Sequence, residues 1–503
     1  MSKTKYALKN FMWATANTLI ITLLNFATRS IFIQLLGTTY LGLNSLFTNV
    51  LGMLSLAELG FGIAISFKLY EPLANHDKEK IKSLMLFYKK AYQLIALVIT
   101  ILGLILIPFL PYLTKGVDDS IHVTFIYLIF LFNTVSSYLL TYKSTLLNAD
   151  QRNYQLTKIN LLFSIITLVA QLIFLLVYQN YYGYLIISCI TGLIKNIYIN
   201  HYVVVQFPYL KEKNIQMLPK SEIKEIQVKI KATMMHKIGD VCINQTDNIV
   251  ISSFIHINLV GIVSNYTLII NTLNTLLLGF FNACTAGLGN LFVTSSLKRN
   301  FEVYKVYDFL AFCFFGFSSV ALYFLLSDFI ILWIGNEFTL DQVTILLLCL
   351  NFYLVGLRVP LGNIKQITGV VEPDKYVPLI QSILNLVISV IAAIYLGIHG
   401  IYIGTILSSL APNIWRPIVV YKDIFKTSSK AYFLEFFKRL FFLCVYFILQ
   451  HFIFNYINLN VTFINFIIKG IILFILYMLL LFMFYFNSNE LKLIKKIIIE
   501  KVK

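Results

Sequence analysis

Apolar runs of about twenty residues follow one another along almost the whole of this chain, separated only by short polar connections. A helix of that length covers the hydrocarbon layer of a bilayer, and only helices or closed barrels cross it with every backbone group satisfied. Membrane strands would show alternating segments of about ten residues, and these runs are continuous. Roughly fourteen spans are expected, at 11–36, 41–66, 89–110, 121–142, 156–178, 183–206, 230–256, 259–289, 306–332, 342–364, 377–396, 400–421, 434–456 and 463–486. The expectation is an all-α polytopic membrane protein. A water-soluble globule is excluded, since 58% of the 503 residues are apolar and 13% charged. The first run is too long for a cleavable signal and lacks a small-residue cleavage site, so it is expected to stay in the protein.

A net charge of +17 suggests a nucleic-acid partner until the bases are placed on the spans. Most Lys and Arg fall at alternate span ends: Lys3 to Lys9, Lys68 to Lys90, Lys143 to Lys158, Lys211 to Lys231, Lys298 to Lys305, Lys365 to Lys375, Lys422 to Arg439, and the tail from Lys492. The opposite connections, 111–120, 179–183, 333–341 and 457–462, hold almost none beyond Lys115. Read by the positive-inside rule, both termini are cytoplasmic, as an even number of spans requires. The charge records orientation and attraction to anionic membrane lipids, with no nucleic acid among the expected partners.

The longest basic connection, 207–231, contains Pro208 and Pro219 and an amphipathic stretch from Lys220 to Lys231. It divides the chain into a six-span lobe at 1–207, a cytoplasmic linker at 208–229 and a second six-span lobe at 230–421. Two further spans occupy 422–486, ahead of a basic cytoplasmic tail at 487–503. Pro360 with Gly362, Pro412, Pro417, and the pair Gly60 and Gly62 interrupt helical runs, as packing kinks or as hinges.

The two lobes carry a repeat. Thr18, Thr22, Asn25 and Arg29 form a polar stripe at helical spacing, and His236, Asp240, Asn244 and Asp247 form another about 218 residues later. Each runs into a similar exit, QLLGTTYLG ending at Gly42 and SFIHINLVG ending at Gly261. Duplicated membrane halves are a transporter construction.

Charges inside such spans need a partner or an aqueous cavity. Arg29 and Asp247 occupy equivalent depths, so they either meet across the lobe interface as an outer gate or pair within their own lobes. Lys195, with Thr191 and Asn196 beside it, sits about twelve residues into its span and hence near mid-membrane. There it suits an anionic group such as phosphate, a lobe acid, or a path toward water along a kinked helix. Arg358, just before Pro360, reaches either phosphate or the inner interface. Asn25 and Asn44 are expected to line the same substrate cavity. Glu58, in register with Asn44, Thr48 and Ser55, is a partner for Arg29 or Lys68, or a proton or cation site. Asp240 and Asp247, with Asn244 between them on one face, are the strongest candidates for cation or proton coupling. Acids on one wall and bases on the other make a cavity of mixed sign.

Enzyme chemistry finds little footing. The outer connections are too short for a catalytic domain, the histidines are scattered, and the six cysteines lack paired spacing, so no catalytic residue, metal site or cofactor is expected.

The early arginine followed by LLGTTYLG, the second-span segment SLAELGFG (Ser55 to Gly62), and two six-span lobes followed by two extra helices resemble one known family. It is the polysaccharide transporter (Wzx-type) branch of the multidrug, oligosaccharidyl-lipid and polysaccharide (MOP) flippase superfamily. The resemblance covers nearly the whole chain. It implies a MATE-like fold in the bacterial cytoplasmic membrane, and movement of undecaprenyl-diphosphate-linked oligosaccharide repeat units to the outer leaflet for capsule, O-antigen or exopolysaccharide assembly. The implied site has a polar cavity for sugar, cationic side chains for the diphosphate and a lateral opening for the lipid tail. Proton or sodium would be the coupling ion, and a polysaccharide polymerase and chain-length machinery would be partners. The arginine-rich cavity of lipid II flippases is only partly matched, because no second arginine lies close to Arg29 in sequence. The drug-exporting branch shares the fold. A membrane polymerase or acyltransferase is the reading from another class, and neither large outer loops with paired arginines nor an intramembrane histidine with a nearby acid is present.

Overall fold

The computed structural model describes residues 3–58, 61–212, 215–370, 372–488 and 490–493, and among them every regular element is helical. Eleven helices among the described residues are long and apolar enough to cross a membrane. The protein is a multi-pass membrane protein. Two of the expected inter-span connections shrink to single residues. α1 (Lys3–Leu54) runs through the first and most of the second expected span, broken only at Gly37 (φ 80°, ψ 179°). α13 (Val377–Val419) joins the eleventh and twelfth, broken at Gly397 (φ 57°, ψ −133°). Glycine carries the positive φ at both breaks because a Cβ would be strained there, so one residue reverses direction where a loop was expected. The second expected span is itself interrupted, since a 3₁₀ turn at Ser55–Glu58 ends α1 before α2 (Phe61–Ala74) begins.

The remaining helices follow in order: α3 (Lys78–Leu106), α4 (Leu110–Leu113), α5 (Val123–Thr141), α6 (Ser144–Ala149), α7 (Asn153–Tyr178), α8 (Tyr181–Gln206), α9 (Lys220–Phe254) and α10 (Ile257–Thr294). Then come α11 (Leu297–Trp333), α12 (Gln342–Thr368), α13, α14 (Lys430–Ile457) and α15 (Phe463–Tyr485). Many starts are capped by a short polar side chain, as in Asn180 accepting from Gly183 N at 3.0 Å and Asp341 from Thr344 N at 3.0 Å. α9 is not among the eleven apolar helices. Its first twelve residues carry four Lys and two Glu, and the polar stripe of the second repeat follows.

By packing, the chain divides into two compact units, Met1–Gly261 and Ile262–Lys503. Within the first, the two repeated exits lie against each other reciprocally. A Cβ on Gly42 would stand 2.3 Å from the Ile257 carbonyl oxygen, and one on Gly261 would stand 2.3 Å from the Thr38 carbonyl oxygen. Between them Thr39 Oγ1 donates to Asn258 Oδ1 at 2.6 Å, and the two residues are 219 positions apart, as are Gly42 and Gly261. The repeat is therefore a local two-fold arrangement as well as a sequence pattern, and glycine lets the backbones touch. At the basic end of this unit, α2 and α3 hold the connector and the start of α9 through Lys68 to Glu225 (2.6 Å), Lys80 to Glu222 (2.5 Å) and Lys82 to Glu212 (2.5 Å).

The second unit is built on α11, with α12 along it and the last two helices fixed to it. Arg439 of α14 bridges to Asp308 and Lys469 of α15 bridges to Asp328, each at 2.6 Å, and both acids belong to α11. Phe312 of α11 meets Phe442 of α14 edge-on at 5.6 Å, and Tyr477 of α15 donates to the Cys313 carbonyl at 3.0 Å. At the end of α12, buried Asp374 takes Lys365, and Arg416 from α13 lies 3.6 Å away.

Candidate functional site

The first unit contains a cavity of about 700 Å³ whose floor is Glu58. The 3₁₀ turn that closes α1 sets Glu58 between α1 and α2, and Ser55 steadies it by donating to the Gly52 carbonyl at 2.5 Å. α3 supplies Tyr88 and Tyr92, four residues apart and hence on one face, while α5 and α6 supply Tyr138, Thr141 and Thr145. These hydroxyls form a directed chain. Thr145 donates to Tyr88 at 3.2 Å, Tyr88 donates to Tyr92 at 2.7 Å, and Tyr92 donates to the Glu58 carboxylate. Tyr138 lies within hydrogen-bonding reach of both Glu58 and Ser55. The rings of Tyr88 and Tyr92 pack edge to face at 4.4 Å, which fixes the hydroxyls in place.

Phe67 and Tyr70, 60% and 48% exposed, stand at the rim with their rings perpendicular at 5.8 Å. Among the described residues lining the cavity there is no lysine, arginine or histidine. The lining residues Phe67, Tyr88 and Ser144 are chain neighbours of Lys68, Lys89 and Lys143, so the cavity lies toward the basic end of the unit.

The sequence candidates distribute as follows. Glu58 is held by tyrosines, and the expected pairing with Lys68 is not made, because Lys68 bridges to Glu225. Arg29 of α1 is half-buried beside Tyr184 of α8, in a region where Phe32 meets Tyr184 edge-on at 5.1 Å. Lys195 of α8 is half-buried, and among the described residues no hydrogen bond or ion pair reaches its ammonium. Its neighbour Asn196 is buried, and Thr191, one turn earlier, accepts from Thr167 of α7 at 2.8 Å. Asn25 and Asn44 are half-buried on α1. Arg358 of α12 donates to Gln381 of α13 at 3.3 Å. Asp247 is half-buried on α9, in the same unit as Arg29. Asp240 and Asn244 lie on α9 too, but their side chains, like that of His236, fall outside the described residues, as does Gly60. Of the candidates among the described residues, the cavity contains only Glu58.

No family model and no curated protein sequence matches this chain. Solved structures do. The chain is similar to the lipid II flippase MurJ in an inward closed conformation, with 16% identity, a TM-score of 0.67, and 94% of this chain and 98% of that one covered. It is similar to an inward-facing multidrug resistance MATE family transporter of the MOP superfamily, with 16% identity, a TM-score of 0.59, and 83% and 99% covered. A MOP superfamily transporter from Pyrococcus furiosus, described as having a binding pocket of reversed polarity, aligns at 13% identity with a TM-score of 0.54, covering 85% and 98%. The fold is therefore that of MOP-type transporters, and the structures it resembles are a flippase and transporters.

Two sets of residues escaped the sequence reading. The tyrosines around Glu58 left a trace in the Tyr88 and Tyr92 spacing, but tyrosine is so abundant here that the pattern does not stand out. The buried pairs of α11 were more visible. Asp308, Asp328, Arg439 and Lys469 are charges inside apolar runs, two of each sign, and charges in such positions demand partners.

Proposed function

We propose that this protein is a flippase that moves undecaprenyl-diphosphate-linked oligosaccharide repeat units across the bacterial cytoplasmic membrane by alternating access of two lobes, both termini being cytoplasmic. The observation that carries this reading is Lys195. A half-buried ammonium midway along an apolar helix, with no acid against it among the described residues, offers the charge that a diphosphate would neutralise. Arg29, half-buried among the α8 tyrosines, is the second candidate for the diphosphate. Likeness to a lipid II flippase along nearly the whole chain supports a lipid-linked substrate. Coupling falls to a proton or sodium gradient, with Asp240, Asn244 and Asp247 of α9 as its side chains, and Arg358 serves the second lobe's share of the cavity.

Deletion of the gene is expected to leave lipid-linked repeat units on the inner leaflet with drug sensitivity unchanged. The opposite pattern would favour the cation-coupled multidrug exporter of the same fold. Lys195→Ala is expected to abolish surface polysaccharide while the protein stays in the membrane at its normal level; full export in that variant would remove Lys195 from the site.

A further inference from the structure

We infer that the cavity over Glu58 is a saccharide subsite that admits neutral or amino sugars and rejects acidic ones; this rests on the flippase reading and narrows its substrate. Size is the first reason. At about 700 Å³ the cavity falls within the roughly 300–1,000 Å³ of pockets that take small organic molecules, far more than a desolvated cation fills. The direction of the hydrogen bonds is the second. Thr145, Tyr88 and Tyr92 pass their protons toward Glu58, so the polar wall presents donors to the carboxylate, whereas a metal-ion cage would converge its oxygen lone pairs on a centre. A sugar hydroxyl both donates and accepts. It can donate to the carboxylate and accept from Ser66, Ser137, Thr141 or Ser144 along the same wall.

The aromatic rim is the third reason. Phe67 and Tyr70 are exposed aromatic rings among the residues lining the cavity, and the C–H face of a pyranose carries the slight positive charge that the negative face of an aromatic ring attracts. An aromatic rim over a hydroxyl-rich wall matches the two-faced chemistry of a sugar ring. Charge then decides which sugar. Among the described residues the cavity lining holds a carboxylate and no base, so a uronic acid would bring a second negative charge beside the first. Glu58 thereby acts in substrate choice.

The test uses the full-length protein in detergent micelles and saturation-transfer NMR, which reports millimolar binding. The probes are a neutral disaccharide of N-acetylglucosamine and a uronic-acid disaccharide of the same size. The neutral probe is expected to bind at least tenfold more tightly. Glu58→Gln is expected to bring the two within about threefold, and Phe67→Ala or Tyr70→Ala to weaken the neutral probe tenfold or more, with thermal unfolding of each variant little changed. Failure of the neutral probe to bind, discrimination that survives Glu58→Gln, or binding indifferent to Phe67 and Tyr70 would each overturn the inference. Proton uptake lost in Glu58→Gln, with no response to either sugar, would reassign the cavity to a coupling ion. Accumulation of lipid-linked units in the deletion strain is scored separately, so the subsite can fail while the flippase reading stands, and the reverse.

Discussion

Glu58, in the turn between two apolar helices of the first unit, and Asp308, within an apolar helix of the second, are treated in opposite ways by the protein. Asp308 is buried against the guanidinium of Arg439 at 2.6 Å, and Asp328 against the ammonium of Lys469 at the same distance. Each acid has one permanent opposite charge, supplied by one of the last two helices. Among the described residues Glu58 meets no base in its cavity; neutral hydroxyls hold it. A buried pair that loses one partner leaves an uncompensated charge, whereas a hydroxyl can exchange one acceptor for another at little cost. The Asp308 arrangement suits a fixed joint between helices, and the Glu58 arrangement suits a group that trades partners.

The sharpest way to break this comparison is to remove one partner from each. Arg439→Ala should destabilise the protein by about 3–5 kcal/mol, read as loss of folded protein in detergent and a lowered unfolding temperature. Replacing both partners, Asp308→Leu with Arg439→Met, should recover most of that loss. If Arg439→Ala is tolerated, the pair is not what fixes α14 to α11.

The crossing of the two repeats offers a test of sign. Alanine in place of a helical glycine ordinarily stabilises by roughly 0.5–1 kcal/mol. At Gly261 the new Cβ would lie 2.3 Å from a backbone carbonyl, so Gly261→Ala should instead destabilise by about 1–3 kcal/mol, measured by thermal unfolding. Stabilisation by the same substitution would show that these helices do not pack closely.

Glu58→Gln belongs lower on this scale. Tyr92 can still donate to the amide oxygen, so only the charge assistance is lost, about 1 kcal/mol. The variant should be nearly as stable as the parent and impaired in function, the reverse of Arg439→Ala. A large loss of stability in Glu58→Gln would place Glu58 with the structural acids.

The apolar runs made the helices legible, because a helix that meets lipid must be apolar over a fixed length. The repeat made the matching exits at Gly42 and Gly261 legible, whereas their packing against each other emerges only in the structure. Helix breaks were harder. Gly37 and Gly397 reverse the chain in one residue, whereas hydropathy registers only breaks long enough to dilute an apolar run. For the site, Glu58 was identifiable as a lone acid, but its partners were not. Coulombic reasoning points to Lys68 or Arg29, and the tyrosines of α3 and α5 reach it only through the tertiary packing of α2, α3 and α5. Charge signs say that a partner is needed, and a neutral hydroxyl answers the same need without leaving a charge in the sequence.

The smallest expected effect lies outside the apolar spans, at Asp341, and it completes the comparison with an acid that water can reach. Asp341 caps α12 and accepts from Thr344 N at 3.0 Å and Thr344 Oγ1 at 2.6 Å, with the His399 ring 2.8 Å away. Partial burial raises its pKa, but the Thr344 bonds and His399 more than offset this and hold the carboxyl down to about 2. A carboxyl whose folded pKa lies below its unfolded value of about 3.9 stabilises the fold above that value, and the stabilisation fades as pH falls from about 4 toward 2. The group is about half exposed, so screening leaves only a few tenths of a kcal/mol, on the order of a surface ion pair. Asp341→Asn keeps a capping oxygen and loses the charge, so its unfolding temperature should approach the parent's near about pH 2 and fall slightly below it at pH 6. Asp341→Ala loses the cap as well and should be about 1 kcal/mol less stable near neutral pH. Equal pH dependence in the parent and Asp341→Asn would show that the carboxylate contributes only its shape, leaving the charge-paired acids of α11 and the hydroxyl-held Glu58 as the two modes by which this protein keeps an acid.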